Sequence, residues 1–80
     1  MQIAEIKRLA EHCSLDQLLD AEEALLNEQE PAIEVNGKDE GERLTHIMAA
    51  QEIAKDVANH GVSMGEAVRN FSQRVRRSIS

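Results

Sequence analysis

The stretch DEGERLTHIMAAQEIAKDVANHG, residues 39–61, decides the fold of this 80-residue chain. It opens with a capping-box pattern at Asp39 and Glu42, and it closes at Gly61, the residue type that most often follows a helix C-terminus. The pattern therefore predicts a long helix over about residues 40–60. Its apolar positions cover about half of the helix circumference, which indicates that neighbouring elements pack on more than one side. These positions are Leu44, Ile47, Ala50, Ile53, Ala54, Val57 and Ala58.

Two amphipathic segments precede this helix. The first predicted helix covers about residues 2–13, and its apolar stripe consists of Ile3, Ile6, Leu9, Ala10 and Cys13. Ser14 and Gln17 then repeat the capping-box spacing and open a second helix over about residues 15–29, which must end before Pro31. Its stripe is Leu15, Leu18, Leu19, Leu25 and Leu26. The spacing leaves open whether these two segments are separate helices or one kinked helix.

One more helix follows the long one. Ser63 and Glu66 form the last capping pattern and open a helix over about residues 64–78, with a stripe of Met64, Ala67, Val68, Phe71, Val75 and Ile79. The turn-forming residues concentrate in a loop at about 30–39. The short joints favour helix–helix hairpins, so the sequence predicts an all-α, four-helix bundle-like domain spanning residues 1–80.

Composition supports this class of fold and limits the compartment. The chain is 41% hydrophobic and 30% charged, which is typical of a folded domain, and Phe71 is its only aromatic residue. Cys13 is the only cysteine, so no intramolecular disulfide can form. We find no secretory signal and no apolar run near the ~20 residues that a membrane span needs, so we expect a cytoplasmic protein. A chain of this length buries only roughly 60% of its unfolded surface, which favours self-association.

Charge is distributed unevenly along the chain. Residues 1–42 contain twelve acids and three bases, whereas residues 43–80 contain three acids and six bases, and the whole chain has a net charge of −6. If the last helix packs against the second, its arginines complement acids of the same molecule. Glu22 lies within the leucine stripe of the second helix and Arg74 lies beside the stripe of the last, so we predict that these two form a structural ion pair.

A second interpretation assigns the basic helix to nucleic acid. Arg69, Gln73, Arg76 and Arg77 share its polar side, where they could follow a phosphate backbone or contact another partner. The net negative charge repels phosphate, however, and no aromatic residue is placed to stack on bases. These facts argue against nucleic acid as the partner.

A third interpretation is a metal-dependent site. Glu42 and His46 stand at i and i+4 on one helix face, and Asp39 is close in sequence, so the three could hold a divalent ion. Acids in a first helical turn also complement the helix dipole, and a histidine at the edge of an apolar arc is typical of a hydrogen-bonded core residue. The sequence contains no catalytic motif, so we expect no catalytic residue, no cofactor and no enzymatic activity.

Three segments carry a family resemblance over nearly the whole chain. They are IAEIKRLAE (3–11), EVNGKDEGERLTHIMAA (34–50) and NFSQRVRRSI (70–79). They resemble a family of short, all-helical bacterial proteins of unknown function, which implies a small cytoplasmic helical protein and transfers no functional residue. Together, these observations predict a non-catalytic protein–protein interaction or accessory module that self-associates, with a homodimer as the expected form.

Overall fold

The computed structural model describes residues 1–79, with side chains through residue 77. Within this range the chain forms four helices and no strand, which confirms the predicted all-α, bundle-like fold. The helices are α1 (Ile3–His12), α2 (Leu15–Leu26), α3 (Glu40–His60) and α4 (Met64–Ile79). None of these helices has the length and apolar character needed to cross a membrane.

The joint between α1 and α2 is a true break in the helix. Ser14 Oγ accepts a hydrogen bond from the Gln17 backbone N–H at 3.1 Å, and Gln17 Oε1 accepts one from the Ser14 backbone N–H at 2.8 Å. Cys13, just before this capping box, has an extended backbone. Because both caps are made, α1 and α2 are separate helices joined by two residues.

The second helix ends earlier than predicted, at Leu26 rather than near residue 29. The N–H of Gln29 donates to the Ala24 carbonyl at 2.8 Å and the N–H of Glu28 donates to the Leu25 carbonyl at 3.1 Å, a Schellman motif. This motif requires a left-handed residue, and here Glu28 adopts it with φ of 59°. The sequence has no glycine at this position, so the usual stop signal was missing.

The long helix is the centre of the molecule, as its wide apolar arc predicts. α1, α2 and α4 all pack against α3, and α4 also touches α1. Ile47, Ala50 and Ile53 of α3 are fully buried. Asp39 caps the helix by accepting from the Glu42 backbone N–H, and left-handed Gly61 ends it.

The neighbours of α3 leave one of its sides open. Gln51 contacts α2 and Asp56 contacts α4, and these residues lie about 140° apart around the helix at 100° per residue. His46 faces the N-terminal end of α1. Met48 lies nearly opposite His46 around α3, between the contacts with α2 and α4, and its side chain is exposed. The dimensions of 32 × 28 × 17 Å fit two layers, with α2, α3 and α4 in one layer and α1 behind it.

The core confirms most of the predicted stripes. Within the described residues, the buried apolar side chains are Ile6, Leu9, Ala10, Leu18, Ala21, Leu25, Val35, Ile47, Ala49, Ala50, Ile53, Ala67 and Phe71. Two members of the predicted leucine stripe, Leu19 and Leu26, are instead exposed, because α2 packs on α3 with the opposite edge of that stripe. The side chain of Ile79, the last position of the α4 stripe, lies outside the described part of the chain.

Candidate protein-binding surface

The loop between α2 and α3 is held by a buried carboxylate. Glu5 of α1 accepts two hydrogen bonds from Arg8, at 2.6 and 2.9 Å, and two from the backbone and side chain of Asn36, at 2.9 and 3.1 Å. Arg8 also donates to the Glu34 carbonyl. The hydrogen bonds from Arg8 are the main cause that lowers the pKa of Glu5 from 4.5 to about 2, against the opposing effect of burial. This cluster has a structural role, because every carboxylate oxygen is engaged within the protein.

His46, a candidate metal ligand in the sequence, lies fully buried beside the same loop. Its Nε2 accepts from the Gln2 backbone N–H at 3.0 Å, so the ring proton sits on Nδ1, which donates to the Asn36 carbonyl at 2.8 Å. Both ring nitrogens therefore serve the backbone. This arrangement is the hydrogen-bonded core histidine that its place on the apolar arc indicates.

The two other candidate ligands are also engaged with the backbone. Asp39 accepts from the Glu42 N–H at 2.8 Å, and Glu42 accepts from the Lys38 N–H at 3.0 Å and from the Met1 amino group at 3.3 Å. The Lys38 hydrogen bond is the largest cause of a lowered pKa for Glu42. No three histidine, cysteine or acidic side chains within the described residues are placed to hold a metal ion. The arrangement stabilises the start of α3.

The arginines of α4 point in two directions. Arg69, Gln73, Arg76 and Arg77 are all exposed, as their place on the polar side predicts. Arg74, also exposed, lies on the edge of α4 nearer α3, next to Asp56, where its charge contributes to the lowered pKa of that carboxylate. Arg76 follows Arg74 by two residues and so lies about 200° further around the helix. Arg74 and Arg77 both take part in interactions within the molecule.

The two residues of the predicted ion pair belong to helices that contact α3 about 140° apart. Glu22 Oε1 accepts a hydrogen bond at 3.0 Å from the Gln51 amide, which also donates to the Leu18 carbonyl at 3.3 Å. The last helix packs on α3 and α1, so α3 stands between Glu22 and Arg74. The partner that the structure gives Glu22 is therefore an amide of α3.

An exposed apolar surface surrounds this hydrogen bond. Leu19 and Leu26 lie three residues before and four residues after Glu22, so they share its side of α2. Met48 and Lys55 have the same spacing from Gln51 on α3. We call this surface the α3 face and define it by Leu19, Glu22 and Leu26 of α2, Met48, Gln51, Glu52 and Lys55 of α3, and Arg74 of α4.

Shallow grooves continue the α3 face towards α4. One groove has a volume of about 420 Å³ and is lined in part by Met48, Glu52, Lys55 and Phe71. A second, of about 190 Å³, shares Glu52 and Lys55 and is also lined by Arg74. The grooves therefore connect the exposed side of α3 with the basic helix α4, and the Glu22–Gln51 hydrogen bond connects it with the acidic helix α2.

Asp56 and His60, which form a hydrogen-bonded pair, also line the second groove. His60 Nδ1 lies 2.6 Å from Asp56 Oδ1, and this contact, with a hydrogen bond from Asn70, lowers the pKa of Asp56. His60 is the last residue of α3, where a cation interacts favourably with the helix dipole. Both residues of the pair belong to α3, and the hydrogen bond from Asn70 joins Asp56 to α4.

Sequence reasoning named Glu22 and Arg74 but missed the apolar residues of this surface. The face depends on which edge of the α2 stripe meets α3, and the stripe alone does not contain that information. Gln51 borders the predicted apolar arc of α3, where a polar side chain needs a partner, and in the structure it is only 7% exposed. Glu5 gave a similar signal, since it interrupts the stripe of α1.

The chain belongs to a family of unknown function, DUF6952, whose family model matches residues 1–80. The match covers the whole chain and agrees with the resemblance seen in the sequence. Neither the curated proteins nor the solved structures contain a match.

Proposed function

We propose that this member of the DUF6952 family is a non-catalytic protein–protein interaction module that self-associates through the α3 face. The observation that carries the proposal is the exposure of three large apolar side chains around one polar contact. Leu19 is 42% exposed, Met48 is 48% exposed and Leu26 is 64% exposed. They belong to helices that pack directly against each other, and they lie on either side of the Glu22–Gln51 hydrogen bond.

Such a patch has a physical meaning. Single exposed apolar residues are normal on monomers, whereas a continuous apolar patch rimmed by charge marks a contact with another macromolecule. The α3 face has this form, with Glu22, Glu52, Lys55 and Arg74 around its apolar members. Full burial of an exposed methionine or leucine side chain contributes about 1.5–3 kcal/mol, and these three are about half exposed, so covering each of them contributes roughly 1 kcal/mol.

The size of the molecule supports a second copy as the partner. Its accessible surface is 5143 Å², so the ~800 Å² that each partner buries in a stable interface of standard size would cover roughly a sixth of it. The grooves beside Met48 are shallow and open, which suits a broad protein surface better than a small molecule.

Light scattering coupled to gel filtration tests the proposal. We expect the wild-type protein to form a dimer at high micromolar concentration. Detection must use refractive index, because the chain has no Trp or Tyr. Met48→Glu places a charge in the centre of the face, and we expect it to weaken association at least tenfold.

A matched control separates this surface from general effects of charge. Ala4 is exposed on α1, in the layer behind α3, so Ala4→Glu makes the same change of charge away from the face. We expect this variant to associate like the wild type. A wild-type protein that stays monomeric at all concentrations refutes self-association, and equal effects of the two substitutions refute the α3 face.

A further inference from the structure

We infer that the second copy binds the α3 face about a two-fold axis parallel to α3, so that Glu22 of each copy faces Arg74 of the other. This inference rests on the proposed self-association and specifies its geometry. Its basis is the placement of opposite charge on the two edges of one apolar face.

The edges of the face differ in charge. Residues 15–26, the α2 helix, contain four acids and no base, whereas residues 64–79, the α4 helix, contain four arginines and one acid. α2 and α4 contact α3 about 140° apart, with Met48 between them. At the face itself, Glu22 carries the negative charge of the α2 edge and Arg74 the positive charge of the α4 edge, whereas Arg76 lies on the other side of α4.

This distribution distinguishes two possible symmetric arrangements. A two-fold axis in the plane of the face and perpendicular to α3 places α2 against α2 and α4 against α4, so that like charges meet. An axis in the same plane but parallel to α3 exchanges the edges, and each acidic α2 then lies against a basic α4. Like charges across an interface cost several kcal/mol, so charge selects the second arrangement.

The positions of the charges along α3 agree with this arrangement. Glu22 lies at the level of Gln51, to which it is hydrogen-bonded, and Arg74 lies beside Asp56, roughly 7 Å further along α3 at 1.5 Å per residue, a distance that two long side chains can span. An axis parallel to α3 leaves the level of each residue unchanged. The carboxylate of Glu22 and the guanidinium of Arg74 in the other copy then lie within reach of each other.

The same axis brings the apolar centre together. Met48 lies near the axis and meets Met48 of the second copy, while Leu19 and Leu26 cover the groove beside Phe71. Arg74 keeps its interactions within its own copy, and its position beside Asp56 restricts the guanidinium before association. The interface is thus apolar in its centre and charged at its rim, as protein interfaces generally are.

Two charge reversals test the geometry when their variants are mixed. Glu22→Lys alone places a lysine opposite Arg74 of the second copy, and Arg74→Glu alone places two glutamates opposite each other. Each homodimer then contains two repulsive pairs, and we expect its dissociation constant to rise about tenfold. A mixed dimer of the two variants contains two attractive pairs instead, so mixing restores association near the wild-type level. Sedimentation equilibrium measures the constants, and native mass spectrometry identifies the mixed species.

Neutral variants and a control complete the experiment. Glu22→Gln keeps the acceptor for Gln51, and Arg74→Gln keeps a polar side chain. These two neutral variants replace any charge reversal that circular dichroism shows to be unfolded. We expect each of them to raise the dissociation constant about threefold. Arg76→Glu makes the same charge reversal as Arg74→Glu on the other side of α4, and we expect it to leave the dissociation constant unchanged.

The outcomes separate this inference from the proposal beneath it. A wild-type monomer refutes self-association itself. A wild-type dimer whose variants do not prefer each other on mixing refutes the two-fold axis and leaves the α3 face intact. Preferential mixed dimers, with association that weakens between about 0.1 M and about 1 M salt, support the pairing of Glu22 with Arg74.

Discussion

Replacing Glu5 with glutamine removes the charge that holds the long loop against α1 and α3. Glutamine has the shape of glutamate but only one acceptor oxygen, whereas Glu5 accepts four hydrogen bonds through two oxygens. In the variant, one Arg8 donor and one Asn36 donor would face the amide N–H₂ of glutamine in place of a carboxylate oxygen. Glu5→Gln should therefore destabilise the protein without changing the shape of its core.

The size of the effect follows from the pKa of Glu5, which falls from 4.5 to about 2 in the folded protein. Each pKa unit corresponds to 1.36 kcal/mol, so the full shift is worth about 3 kcal/mol at neutral pH. The side chain of Arg8 is 35% exposed, so solvent screens part of this interaction. We therefore expect Glu5→Gln to lower the free energy of unfolding by about 2 kcal/mol at pH 7.

The sign of the pH dependence is fixed by the direction of the shift. A carboxylate with a lowered pKa in the folded state stabilises the protein above its unfolded pKa and loses that contribution as the pH falls through its folded pKa. The difference between wild type and Glu5→Gln should thus be full above pH 4.5 and decline between 4.5 and about 2. Urea unfolding followed by circular dichroism at several pH values measures this difference, since the chain has no Trp or Tyr fluorescence.

A second glutamate on the same helix provides the control. Glu11 is exposed near the end of α1, and we expect Glu11→Gln to change stability by less than about 0.5 kcal/mol. The reasoning fails if Glu5→Gln destabilises no more than this control at pH 7. It also fails if the difference between Glu5→Gln and wild type stays constant down to the lowest pH at which both fold.

Three further predictions address backbone, buried ring and charge. Glu28→Gly should raise stability by about 0.5–1 kcal/mol because glycine relieves the left-handed backbone, whereas Gly61→Ala, at a φ of 64°, should lower it by about 1 kcal/mol; thermal melts of both check the sign. His46→Ala should lower the free energy of unfolding by about 3 kcal/mol, since it opens a cavity and leaves the two backbone partners of the ring unpaired. Zn²⁺ should leave the melting temperature of the wild type unchanged. A rise in melting temperature with zinc that His46→Ala abolishes would favour the metal site. The protein should not retard DNA or RNA in gels at low salt, and a shift abolished by Arg76→Glu would favour nucleic-acid binding through α4.

The number and places of the helices could be read from the sequence because local chemistry sets them. Ser14, Asp39 and Gly61 each mark a helix end with a side chain or backbone suited to that end, and each does so in the structure. The end of α2 was predicted too late because its left-handed residue is Glu28, and nothing in a glutamate indicates that conformation. The two local hydrogen bonds of the Schellman motif keep a strained residue there that propensity alone would not select.

The candidate surface could not be predicted in the same way. Periodicity shows that Leu18, Leu19, Leu25 and Leu26 share a stripe, but the stripe is wider than the contact that α2 makes with α3. Leu18 and Leu25 are buried and Leu19 and Leu26 are exposed because α3 meets one edge of the stripe. That choice depends on the packing of all four helices, which the loop between α2 and α3 fixes through the hydrogen bonds of Glu5 and His46.

The uneven charge of the two halves acquires a different meaning once α3 is placed between α2 and α4. The sequence indicated that the arginines of the last helix complement acids of the first half, with Glu22 and Arg74 as the expected pair. The axes of α2 and α4 each lie about 8–10 Å from the axis of α3, in directions about 140° apart. The axes of α2 and α4 are therefore roughly 17 Å from each other, with the exposed side of α3 between them. A two-fold axis parallel to α3 places the negative edge of the apolar face in one copy against the positive edge in the other copy. We therefore propose that Glu22 of one copy pairs with Arg74 of the other. Mixing the two charge-reversed variants tests this pairing directly.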